Sequence, residues 1–122
     1  MRKKIELQFF DKSEFTCAGE NCFNKMDRNF LMMLDDAREY ADVPFKITSS
    51  WRSKEHNEKI GGAKNSAHLR GCAVDIACDN SKDRMAIVEG LLGVGFARIG
   101  IAKTFIHADN DLELPPCVMW LY

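Results

Sequence analysis

The chain has 122 residues, a length that suits one domain with a core of its own, so a single domain over residues 1–122 is expected. Its 17 basic and 18 acidic residues nearly cancel, leaving a formal charge of −1. That balance argues against a nucleic-acid partner, which calls for a basic stripe. No apolar run approaches the roughly 20 residues of a membrane span, so no membrane partner is expected either, and the chain is read as a monomer. The N-terminus, M-R-K-K-I-E-L-Q-F-F-D-K, starts basic, but charge interrupts it before an apolar region develops. It does not read as a signal peptide, and synthesis in the cytoplasm is the expectation.

Asp27 can cap a helix in which Phe30, Leu34, Ala37 and Ala41 recur at helical spacing, ending before Pro44. Phe45, Ile47 and Ser49 alternate with Lys46 and Thr48, the pattern of a short strand. Ser53 is placed to cap a short helix through Ile60 that Gly61-Gly62 stops. The polar loop A-K-N-S-A-H-L-R-G leads into a strand from Cys72 to Cys78. Asn80 or Ser81 can cap a third helix carrying Met85, Val88, Leu91 and Leu92, which ends near Gly93 or Gly95. Two strands follow, Phe96 to Ile101 and Thr104 to Asp109, and Val118 to Tyr122 reads as a terminal strand. The expected architecture is α+β, a mostly antiparallel sheet flanked by helices.

Five cysteines leave at least one unpaired. Cys17 and Cys22, in C-A-G-E-N-C, could bridge or bind a metal with ligands from elsewhere, and the plainer reading is two reduced thiols. Cys72 and Cys78 alternate with Val74 and Ile76 and read as small core residues. Cys117, after Pro115-Pro116, says little.

Asp75 is the anomaly of the chain. It sits in the apolar run C-A-V-D-I-A-C, where an ionised carboxylate needs a partner or a metal. Strand alternation puts Val74 and Ile76 on one side and Asp75 on the other, with Ala73 and Ala77 leaving space around it. In T-F-I-H-A-D, His107 and Asp109 share a face opposite Ile106 and Ala108. If the two strands are neighbours, Asp75 and His107 converge, and His68 lies just before the first strand with Gly71 as the turn. Two imidazoles and a carboxylate make a zinc site with an open fourth position, suited to peptide hydrolysis. On spacing alone, a carboxylate held by Arg52 or Arg70 competes with that reading.

Four stretches in order add a resemblance. S-A-H-L-R-G-C-A-V-D resembles the S-x-H-x-x-G-x-A-x-D signature of the zinc D-alanyl-D-alanine carboxypeptidase family, peptidase family M15. I-T-S-S-W-R-S-K-E-H-N resembles the segment upstream, G-G-A-K-N-S-A-H the loop between, and F-I-H-A-D the late strand with the last metal ligand. K-S-E-F-T-C near the start resembles the small bacterial and phage members, and the likeness runs from about Ser13 to Tyr122. The family is similar in fold to the hedgehog signalling domain.

The resemblance implies a zinc ion held by His68, Asp75 and His107. It implies Arg52 beside the metal, holding a substrate carboxylate or stabilising an oxyanion, and Ser66 bonding substrate or supporting the His68 loop. The implied substrate is a peptidoglycan peptide, cut by a carboxypeptidase or an endopeptidase, with a phage lysis enzyme released through a holin as one setting. One departure stands out. Many members carry an acidic base three positions before the last ligand, where this chain has Thr104. Asp109 is the nearest substitute, either as the catalytic base or as a partner that orients His107. His56 reads as a solvent-facing helix residue. Two other functions remain: a catalytically silent zinc-binding, hedgehog-like or wall-binding module, and a cysteine hydrolase using Cys72 with His68, which the core-facing position of Cys72 disfavours.

Overall fold

A computed structural model describes residues 6–122, and the basic stretch of residues 1–5 weighed above lies outside the described residues. A two-stranded hairpin, β1 (Thr16–Cys17) and β2 (Glu20–Asn21), precedes helix α1 (Arg28–Ala41). Strand β3 (Ile47–Ser49), helix α2 (Lys54–Lys59) and a 3-10 turn over Ala67–Arg70 lead to β4 (Ala73–Ala77). Helix α3 (Ser81–Gly93), β5 (Arg98–Ile101), β6 (Phe105–Asp109) and β7 (Val118–Leu121) complete the order. The main sheet runs β3-β4-β6-β5-β7. Its first three pairings are antiparallel and the last, β5 with β7, is parallel. The α+β reading with a mostly antiparallel sheet holds.

The predicted caps form. Asp27 accepts from the Phe30 N–H at 2.9 Å, Ser53 from His56 at 3.1 Å and Asn80 from Asp83 at 2.8 Å. Each satisfies an N–H that the first helical turn leaves unpaired.

One face of the sheet makes the core. Val74, Ile76, Ile99, Ile106 and Ala108 join Phe30, Leu31 and Leu34 of α1 and Ile87 and Leu91 of α3 in a single buried cluster. The two helices cross closely at Gly90, where a Cβ would lie 2.5 Å from the Ala37 carbonyl. That contact corrects the expected face of α3. Met85 and Leu92 are exposed, and Ile87 is buried instead.

The N-terminal segment is tied to α1 by an unusual device. Asp35, buried within the helix, accepts from the backbone N–H of Gln8 at 3.0 Å and of Phe9 at 2.9 Å. Phe10 then packs against Phe15 and Phe45. Among the described residues no helix is long and apolar enough to cross a membrane.

Candidate metal centre

The opposite face of the sheet carries the polar residues, as period-2 alternation requires. Register places Asp75 of β4 directly across from His107 of β6. His68 arrives from the 3-10 turn, whose N-terminal cap is Ser66, accepting from the His68 N–H at 3.2 Å. Gly71 closes that turn at φ +71°, and a Cβ there would overlap the Lys25 carbonyl. The turn is also tied to the segment before α2, because the Arg52 N–H donates to the His68 carbonyl at 3.1 Å.

His68, Asp75 and His107 converge, with one donor atom from each lying within 4.8 Å of the others. Asp75 Oδ1 is 3.3 Å from His68 Nε2 and 3.0 Å from His107 Nδ1. The outer nitrogen of each ring is engaged. His68 Nδ1 is 2.7 Å from the Ser50 carbonyl, which can only accept, so that nitrogen carries the proton. His107 Nε2 is 2.7 Å from Asp109 Oδ2 and donates to it. In their neutral forms both rings therefore turn a lone pair inward, onto a carboxylate oxygen. Three electron-rich atoms face one another, and a shared cation relieves the repulsion. The two-nitrogen, one-oxygen donor set fits a zinc ion, and the outer acceptors are the kind that fix ligand tautomers.

The electrostatics agree. Burial opposes ionisation of Asp75, but His107 and His68, when an inner nitrogen carries a proton, hold its carboxyl well below the usual range. Burial likewise works against a charge on His107, but hydrogen bonds to Asp109 and Asp75 outweigh it and raise its pKa.

Asp109 is fully buried and has no free oxygen. Oδ2 meets His107, and Oδ1 accepts from Arg98 Nε at 2.8 Å and from the Asp111 N–H at 3.2 Å. Burial pushes its pKa upward, but His107, the Asp111 N–H and Arg98 together keep it low. Arg98, which sequence reasoning passed over, is thus the counter-charge behind a candidate ligand. Its signal was present, since β5 alternation puts Arg98 on the face of Asp109, but only the register β5–β6 makes them partners.

Arg52 lies beside the group. Its Nε donates to Ser49 Oγ at 3.1 Å, one terminal nitrogen to Asn57 Oδ1 at 3.3 Å and the other to Asp75 Oδ2 at 3.4 Å. A guanidinium has five N–H donors, so two remain for a ligand. Arg70 does not reach Asp75 and pairs instead with Asp111 and Glu113. Thr104 is exposed on the β5–β6 turn, and His56 is half-buried; neither lines the cleft. Cys72 is buried on the core side, its thiol pushed up to about 12, mainly by burial. A thiol so held is a poor nucleophile, and Cys72 does not line the cleft beside His68, which counts against the cysteine-hydrolase reading.

The group sits at the floor of a cleft of about 540 Å³ between the Gly61–Ala63 loop and the Trp120 end of the sheet. A His-Asp-His group whose two imidazoles are buried and whose open side faces such a cleft is the kind of centre that metallohydrolases use. The family model described as Peptidase M15 matches residues 8–109, and the chain belongs to that family of zinc-dependent metallopeptidases. No curated protein matches the chain.

Proposed function

We propose that the chain is a zinc peptidase that hydrolyses peptide bonds in peptidoglycan stem peptides or cross-links, with His68, Asp75 and His107 as the metal ligands. The observation that carries this reading is the convergence of three inward-facing electron pairs on the cleft floor, with both outer ring nitrogens pinned by acceptors. The stem-peptide substrate rests on the resemblance of four ordered motifs to zinc D-alanyl-D-alanine carboxypeptidases.

A zinc ion at these ligands supplies Lewis-acid polarisation of the scissile carbonyl and acidifies a water. The chain's own residues do the rest. The two spare N–H donors of Arg52 bind either a substrate carboxylate or the oxyanion that develops at the carbonyl, both tasks suited to a fixed planar fork. Ser66 holds the turn that presents His68. Asp109 acts by orienting His107, because both of its oxygens are already engaged and it has no exposed surface.

One observation favours a second reading, a metal-binding module without catalysis. Among the described residues lining the cleft, Asp75 and Asp109 are the carboxylates, and both are engaged by protein partners. Digesting purified peptidoglycan with the zinc-loaded protein and identifying the fragments by mass separates the possibilities. Stems shortened by one terminal residue show a carboxypeptidase. Opened cross-links or internally cut stems show an endopeptidase. An unchanged digest that binds zinc shows the silent module.

A further inference from the structure

A single row of residues crosses the face that carries the candidate metal centre. In spatial order it reads Ser49, Asp75, His107, Gly100 and Trp120, one from each strand of the main sheet. Only Gly100 lacks a side chain. A Cβ there would lie 2.6 Å from Trp120 Nε1 and 2.7 Å from Tyr122 Cε2, closer than such contacts occur. The gap lets the indole of the edge strand lean across β5, so that the Trp120 and His107 ring centroids are 5.4 Å apart. The Arg98 guanidinium, 5.1 Å from the indole centroid, packs on the same ring. Two residues on, Tyr122 faces the same side and packs on Phe105 with ring centroids 5.0 Å apart.

The cleft therefore has two unlike walls. One is built from Gly61, Gly62 and Ala63 with Arg52, and the other from Phe105, Trp120 and Tyr122. The aromatic wall is open: Tyr122 is 67% exposed, a large apolar ring left in water beside the site. Binding clefts place such held rings where a ligand covers them. Because Trp120 packs on the ring of His107, that wall adjoins a candidate metal ligand.

We propose that Phe105, Trp120 and Tyr122 form an apolar subsite that receives the hydrocarbon side chain of the substrate residue on one side of the scissile bond. This wall then sets side-chain preference, while Arg52 serves the polar part of the substrate. The inference rests on the peptidase reading above and adds the chemistry of one flanking residue.

The test uses peptides that differ only by Gly, Ala or Leu at each position flanking the bond, with kcat and KM measured separately on zinc-loaded protein. At one flank the wild type should favour Leu over Gly by about 10-fold or more in kcat/KM. Tyr122→Ala and Gly100→Ala should each cut that ratio to under about threefold, through KM for the leucine peptide and with zinc content unchanged. Trp120→Phe, which keeps an aromatic face, should retain most of it. A wild type without side-chain preference, or folded zinc-bound variants with the preference intact, would overturn the subsite while leaving the peptidase standing. If no peptide is cleaved, binding is read from Trp120 fluorescence in a Trp51→Phe background, where one indole remains of the two in the chain. Tighter binding of the leucine peptide would then sink the peptidase reading alone. Equal or no binding would overturn the subsite as well.

Discussion

Replacing Asp109 by Asn tests the construction of the site with almost no change of shape. Each carboxylate oxygen of Asp109 faces donors: Oδ2 faces His107 Nε2–H, and Oδ1 faces Arg98 Nε–H and the Asp111 N–H. An amide has one oxygen and one NH2, so in either orientation the NH2 meets a donor. If it points at His107, the ring must shift its proton to Nδ1, the nitrogen that should hold the metal. If it points at Arg98, a guanidinium with only 14% of its side chain exposed loses its counter-charge. A hydrogen bond to a charged group contributes about 1.5–3 kcal/mol, and stranding one buried partner costs more. For a chain of this length about 3 kcal/mol corresponds to a Tm drop of roughly 10 °C. Metal affinity should fall by roughly 10- to 100-fold, the usual cost of losing an outer partner of a ligand histidine. Chelator-competition titration with zinc, a thermal melt and a rate at saturating zinc, all on the same variant, read these out. The rate should recover as zinc is raised. Normal zinc affinity combined with a rate depressed about 10²- to 10⁴-fold at saturation would refute the orienting role and make Asp109 the base.

Alanine at His68 or at His107 should abolish stoichiometric zinc binding, measured by metal analysis of the purified variants; unchanged zinc in both would move the metal elsewhere, with Cys17 and Cys22 the next donors to examine. Arg52→Lys should bind zinc normally yet lose activity, because lysine keeps the charge but not the planar fork; full activity would reduce Arg52 to a structural ion pair. The raised pKa of His107 makes the metal-free folded state bind a proton that the unfolded chain releases sooner. The metal-free protein should therefore lose stability as pH rises through the histidine range, whereas the zinc-loaded protein, whose ligands must be deprotonated, should gain it; melts in chelator and in zinc between about pH 6 and 8 decide, the window following from the ordinary histidine pKa. Iodoacetamide should label exposed Cys117 first and spare Cys72 in the folded protein; inactivation that tracks Cys72 labelling would revive a thiol mechanism.

The strands and the shared face of Asp75 and His107 were legible because both depend on period-2 alternation, which C-A-V-D-I-A-C and F-I-H-A-D display openly, whereas His68, on a 3-10 turn, joined them through the family resemblance. The pairing of Asp75 with His107 needed only that β4 and β6 be neighbours. The β1–β2 hairpin was invisible, since each strand has two residues and its turn is Ala18-Gly19, with Ala18 at φ +50° where the usual signal is Asn or Asp. The buried face of α3 was misread because apolar residues ring that helix. What selects its face is the close approach at Gly90, a tertiary fact. Arg98, Gly100 and Trp120 escaped for a similar reason: Arg98 meets Asp109 only through the β5–β6 register, and Gly100 and Trp120 meet through the parallel pairing of β7 with β5, neither of which a local pattern announces. The Ser50 carbonyl that fixes the His68 tautomer leaves no trace in side-chain identity at all.

The carboxylate of Asp35 has a practical consequence for anyone trimming the chain. Because it is buried in α1 and draws both of its hydrogen bonds from the backbone of Gln8 and Phe9, the leading segment is a structural clasp. A deletion through Phe10 would strand a charge inside a helix, remove an aromatic ring from the core, and cost several kcal/mol at one cut. Substitutions at Gln8 or Phe9, by contrast, keep the clasp, since peptide N–H groups supply it and every residue but proline offers one. Affinity tags and fusion partners therefore belong ahead of an intact segment, and proline scanning at positions 8 and 9 would locate the clasp more cleanly than alanine scanning.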